Sequence, residues 1–87
     1  MSRIVLLSTP AQHDYEALPS DIRRRLRTAL LTFAATGRGD VKKLKGVEKG
    51  TDLYRLRVGD YRMVFAMNPR EVRVTRIIAR SEGYDWL

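Results

Sequence analysis

The stretch DLYRLRVGDYRMVF, residues 52–65, alternates with a period of two on both sides of a Gly-Asp pair. Alternating apolar and charged residues mark a half-buried strand, and Gly59-Asp60 between two such runs reads as a tight hairpin turn. Tyr54, Leu56 and Val58 then share one face with Tyr61, Met63 and Phe65, while Arg55, Arg57 and Arg62 share the other. Like charges on paired strands repel, so three guanidinium groups on one face cost stability unless an anion or an acidic side chain answers them. The acids near them in sequence are Asp52, Asp60 and Glu71, two of which fall at turns facing solvent. The pattern points to a polyanion or a polyacidic partner for this face.

Outward from the hairpin, Asn68-Pro69-Arg70 gives a second turn and Val72–Ala79 a third strand-like run. Its apolar residues fall on both parities (Val72, Val74 and Ile78 against Ile77), as in a strand buried on both sides. Upstream, VKKLKGVEKGTD (41–52) reads as a basic loop or irregular edge. Before it, Ile22, Leu26, Ala29, Leu30 and Phe33 form one face of a 3.6-residue period, with Ser20 as N-cap candidate and Gly37 as the stop. The RRRLR run on that helix reads as a solvated face, since no aromatic residue is interleaved with it. Arg3–Ser8 suits a first strand, and Thr9 with Pro10 starts a short helix over 10–17 that Leu18-Pro19 breaks. The predicted order is β-α-α-β-β-β in a single domain spanning 1–87. This is an α+β fold in which a helical hairpin packs on one face of a small antiparallel sheet.

The 87 residues include 17 Lys and Arg against 10 Asp and Glu, a net charge of +7, and 11 of the 17 basic residues fall in 41–87. Such an excess favours polyanions: nucleic acid, an anionic membrane surface or an acidic protein. No cysteine and a single histidine, His13, rule out a disulfide framework, a thiol nucleophile and a thiolate zinc site. The chain is expected to work without metal or cofactor. No apolar run approaches the ~20 residues of a membrane span, and the N-terminus lacks the apolar core of a signal peptide. A cytoplasmic protein is expected.

Three further residues bear on chemistry. Arg80 ends the last strand-like run and Tyr84 follows four residues later. Guanidinium groups stabilise the dianionic phosphorane of RNA cleavage, and cations near a phenol shift its pKa. Tyr84 equally suits an aromatic packed over the sheet edge, and Trp86 suits either a tail anchor or a base-stacking platform.

The run KKLKG…LYRLRVGDYRMVF, followed by a strand and then R…Y, resembles the RelE/ParE superfamily of toxins from type II toxin-antitoxin systems. The likeness covers nearly the whole chain, including LPSDIRRRLRTAL in the helical hairpin. It implies the RelE-like microbial ribonuclease fold. In RelE-like members the toxin enters the ribosomal A site and cleaves mRNA without metal, the 2′-hydroxyl attacking the adjacent phosphate to leave a 2′,3′-cyclic phosphate. By this resemblance Arg55 and Arg57 hold the RNA, Lys43 and Lys45 belong to the basic loop that contacts it or ribosomal RNA, and Arg62, Arg80 and Tyr84 are catalytic. Ile78 and Ala79 stand where many relatives carry Gly-His, which leaves proton transfer to the arginines and Tyr84. The resemblance also implies a cognate antitoxin protein as partner. ParE-like members instead inhibit DNA gyrase, and a degenerate toxin would only bind its antitoxin.

Overall fold

The computed structural model describes residues 2–44 and 52–79. Its elements are β1 (Ile4–Leu7), α1 (Thr9–Glu16), α2 (Ser20–Thr36), β2 (Asp40–Lys43), β3 (Tyr54–Val58), β4 (Tyr61–Met67) and β5 (Glu71–Ala79). The strands form one sheet in the order β1-β5-β4-β3-β2. The α+β class and the helical hairpin against one sheet face are as expected. The sheet itself differs in two ways. Asp40–Lys43, in a stretch read as loop, pairs antiparallel with β3, and the Leu44 amide donates to the Leu53 carbonyl (2.8 Å) to close that pair. Three of its four residues are charged, so no apolar alternation marks it as a strand. At the other edge β1 runs parallel to β5, which makes the sheet mixed. The helices and meander between them are the long crossover that a parallel pair requires.

Both helices begin earlier than their sequence signals. Ser8, not Thr9, caps α1: its hydroxyl accepts from the Ala11 amide, with Pro10 in the first turn. Ser20 lies inside α2, which starts after Pro19 with no side-chain cap. Pro19 instead presents its carbonyl to the Arg23 amide (2.9 Å), and its fixed φ suits the entry to a helix. The short link is tied by the Tyr15 hydroxyl donating to the Arg23 carbonyl (3.3 Å). Gly37, left-handed at φ 77°, ends α2 as predicted.

The buried stripe of α2, Leu26, Leu30, Phe33 and Ala34, packs with Leu56, Met63, Phe65, Val72, Val74 and Ile77 of the sheet and Ala11 of α1. Phe65 is central, its ring 5.2 Å from Phe33 and 5.6 Å from Tyr54. Each of the larger side chains among them contributes about 1.5–3 kcal/mol by leaving water.

β5 carries a feature that its sequence shows only as broken parity. The β4–β5 register shifts between Val64 and Phe65, which face Arg76 and Val74 and leave Thr75 as an extra residue. A β-bulge of this kind swaps the faces of everything beyond it. Val72, Val74 and Ile77 therefore all lie under the helices, and Arg76 and Ile78 lie on the opposite face.

Candidate nucleic-acid interface

The basic face is assembled by the cross-strand register. One row runs Asp40–Arg57–Arg62–Ile78 and the next runs Lys42–Arg55–Val64–Arg76. The hairpin that sets the first row turns through Gly59, with φ 59°, while Asp60 keeps a negative φ. A positive φ at only the first of two loop residues is the type II′ pattern, whose twist matches the flanking strands. The turn fixes Val58 opposite Tyr61 and hence Arg57 opposite Arg62. A Cβ at Gly59 would also lie 3.0 Å from Nη2 of Arg25, so α2 reaches the hairpin tip.

The face is less open than alternation alone implies. Arg55 is only 16% exposed in its side chain, and its Nη1 donates to the Asp40 carbonyl (3.0 Å) and to Asp40 Oδ1 (3.3 Å). Asp40 is thus the acid that answers Arg55. Of the acids near in sequence, Asp52 pairs with Lys43 (3.5 Å) and Glu71 with Arg73 (3.0 Å). Arg57 remains exposed, its Nε 3.5 Å from the Gly59 carbonyl. Val64 and Ile78 are fully buried although they share this face with the cations. The result is an aliphatic floor within a field of guanidinium groups.

Arg55, Arg57 and Arg62 are brought together as the alternation predicts. Lys43 is not on their face: it aligns with Tyr54 and Phe65, and the neighbouring Lys42 takes the position beside Arg55. Lys45, Arg80 and Tyr84 lie outside the described residues, as does Trp86. Strict alternation along β5 does not place Arg76 on this face, because the bulge that turns it outward leaves no local signature. Its Nε lies 2.8 Å from Asp14 Oδ2 and its Nη2 3.4 Å from Asp14 Oδ1. Among the described residues no group of His, Cys, Asp and Glu is arranged to hold a metal ion. No helix there is long and apolar enough to cross a membrane.

On the helix side an apolar groove of about 330 Å³ opens between β1 and α2, with Val5, Leu7, Leu30 and Leu31 among its lining and Arg27 beside them. Leu31 is 48% exposed, and Ile4, on the other side of β1, is 66% exposed.

Two helices packed on one face of a five-stranded mixed sheet match the structures of RelE-like toxins. The family model for the ParE toxin of type II toxin-antitoxin systems (parDE) matches residues 5–84, and the chain belongs to that family. It is 28% identical to Toxin RelE3 of Methanocaldococcus jannaschii, over 94% of this chain and 96% of that protein. Its fold is similar to the archaeal RelE-RelB complex of Pyrococcus horikoshii OT3 at TM-score 0.75, with 25% identity over 95% of this chain and 100% of the other. The RelB-RelE antitoxin-toxin complex of Methanococcus jannaschii gives TM-score 0.72 and 26% identity, covering 94% and 98% of the two chains.

Proposed function

We propose that this toxin acts in the cytoplasm as a ribosome-dependent, metal-independent mRNA endoribonuclease that inhibits translation. The observation that carries the reading is the register pair Arg57–Arg62, flanked by Arg55 and Lys42. Four cations on adjacent strands, at cross-strand spacings of about 5 Å, match the scale of a nucleic-acid backbone. Arginine suits this task because its planar fork bonds phosphate oxygens in pairs. Arg55, Arg57 and Lys42 hold the substrate strand, with Lys43 and Lys45 serving the basic loop. Arg62 faces the scissile phosphate and stabilises the charge that develops on it as the 2′-oxygen attacks and the 5′-oxygen leaves. Arg80 and Tyr84 assist proton transfer, an assignment that rests on the resemblance of the R…Y segment.

The partner is a cognate antitoxin. The two archaeal structures most useful for comparison are themselves RelE–RelB complexes. An acidic segment would neutralise the basic face, and the groove beside β1 offers apolar burial that persists in high salt.

The decisive experiment maps 5′ ends of cellular mRNA after brief induction of the native chain and of Arg62→Ala. New ends inside translated codons, reduced at least tenfold in the variant, are expected. Arrested growth with intact mRNA overturns the reading. That result would favour a second one, inhibition of DNA gyrase, which the match to the ParE family model supports. It is read by loss of supercoiling activity in the presence of the purified chain. Intact mRNA with normal growth would leave a degenerate toxin that only holds its antitoxin.

A further inference from the structure

Asp14 and Arg76 form the best-organised polar cluster among the described residues outside the hairpin. β1 accompanies β5 only as far as Val74, and beyond that point no strand lies beside the outer edge of β5 among the described residues. α1 takes over there. The Ser8 hydroxyl donates to the Thr75 carbonyl (2.9 Å) while capping α1, and the Thr75 hydroxyl donates to the Val64 carbonyl (3.2 Å) across the bulge. Asp14 Oδ2 accepts the Ile77 amide (2.9 Å), a donor on the outer edge of β5 beyond its pairing with β1. The same carboxylate holds two nitrogens of Arg76, the fork-to-fork geometry that fixes a guanidinium in plane and direction. Arg76 stays 31% exposed and Asp14 22% exposed in their side chains.

We infer that Arg76 is a further phosphate-binding residue of the basic face and that Asp14 is its positioning residue. Arg76 ends the row Lys42–Arg55–Val64–Arg76, so the row has a cation at the distal strand as well as at β2 and β3. Its charge reaches that face only because of the bulge, and the links from α1 to Thr75, Arg76 and Ile77 hold the bulge in place. A carboxylate behind an arginine orients it for an anion in front, in the way second-shell groups orient site residues generally. The inference rests on the ribonuclease reading only for the choice of RNA as the polyanion.

The sign of one substitution separates positioning from mere charge. Asp14→Asn removes a negative charge, so an unorganised cationic surface would bind RNA more tightly after it. If Asp14 positions Arg76, binding weakens instead. The probe is a labelled single-stranded 12-nucleotide RNA, titrated against the full chain at several salt concentrations. Expected are about a tenfold loss of affinity for Arg76→Ala, with the salt slope reduced by about 0.7, the value for one phosphate contact on a single strand. Arg76→Lys keeps the slope and loses a few-fold in affinity, and it stands in for Arg76→Ala should that variant not fold. Asp14→Asn weakens binding about threefold in the native background and not at all with Arg76→Ala, because the two act as one unit. Tighter binding by Asp14→Asn, or an unchanged salt slope in Arg76→Ala, overturns the inference and leaves the pair as a structural strut. Binding requires no cleavage. The expected pattern in a chain that leaves mRNA intact would therefore sink the ribonuclease reading alone, and cleavage without the pattern would sink this inference alone.

Discussion

Arg57 of β3 lies directly opposite Arg62 of β4, one pair inside the hairpin turn. Two like charges at that spacing oppose folding, and the register is imposed by the turn and by the apolar face beneath it, where Leu56 meets Met63. Relieving the repulsion should raise stability and lower activity together. Arg57→Thr is expected to add a few tenths of a kcal/mol, raising Tm by about 2 °C, while reducing mRNA cleavage several-fold. A thermal melt beside a cleavage assay checks both, and a variant that is stabilised yet fully active would remove Arg57 from the site.

Asp40 offers the opposite case to Asp14. Its carboxylate meets Arg55, but its backbone carbonyl holds the same nitrogen at 3.0 Å. Asp40→Asn keeps that carbonyl and deletes a negative charge from the basic face. RNA affinity at low salt should rise two- to threefold with a small change in Tm, as for an exposed ion pair. Fluorescence anisotropy with the same 12-nucleotide probe reads it.

Gly59 is placed for two reasons at once. Its φ of 59° is one that a Cβ penalises, and that Cβ would crowd the Arg25 guanidinium at 3.0 Å. Gly59→Ala should cost about 1 kcal/mol, chiefly from the backbone, since the guanidinium is a flexible end that can move aside. Urea titration in native and Arg25→Ala backgrounds separates the terms. Most of the cost should survive in the second background.

The bulge at Thr75 can be tested by deleting the residue. Without it the strand alternates regularly through the same register, so Arg76 stays opposite Val64 and Ile77 opposite Met63, on the faces they already hold. The deletion removes the Thr75 carbonyl that accepts from the Ser8 hydroxyl and the Thr75 hydroxyl that donates to the Val64 carbonyl, a cost of about 1–3 kcal/mol. The deletion variant should still unfold cooperatively in circular dichroism at a lowered Tm, and Thr75→Val should lose only the bond to the Val64 carbonyl. Loss of cooperative unfolding on deletion would mean that the strand has slipped its register.

Much of this architecture is legible locally. Strand alternation in 53–67, the 3.6-residue stripe from Ile22 to Phe33 and the stop at Gly37 each follow from residues close in sequence, and the structure agrees with them. The basic face is legible for the same reason, because a two-residue turn and a period of two fix Arg55, Arg57 and Arg62 to one side. β2 is not, since a short charged edge strand has no apolar pattern and gains its place only by pairing with β3. Nor is the direction of β1, whose parallel partner lies 67 residues away, Ile4 beside Glu71.

Local pattern and composition suffice for the α+β class, the faces of the central hairpin and the cationic character that points to a polyanion. Which charges stand together is set by long-range packing. Asp40 reaches Arg55 and Asp14 reaches Arg76 across 15 and 62 residues of chain. Lys42 takes the place beside Arg55 because β2 pairs in one register, and Arg76 turns outward because Thr75 bulges. Pairing register and bulges are settled by competition among long-range contacts, and a single-residue shift in either reverses every side chain beyond it.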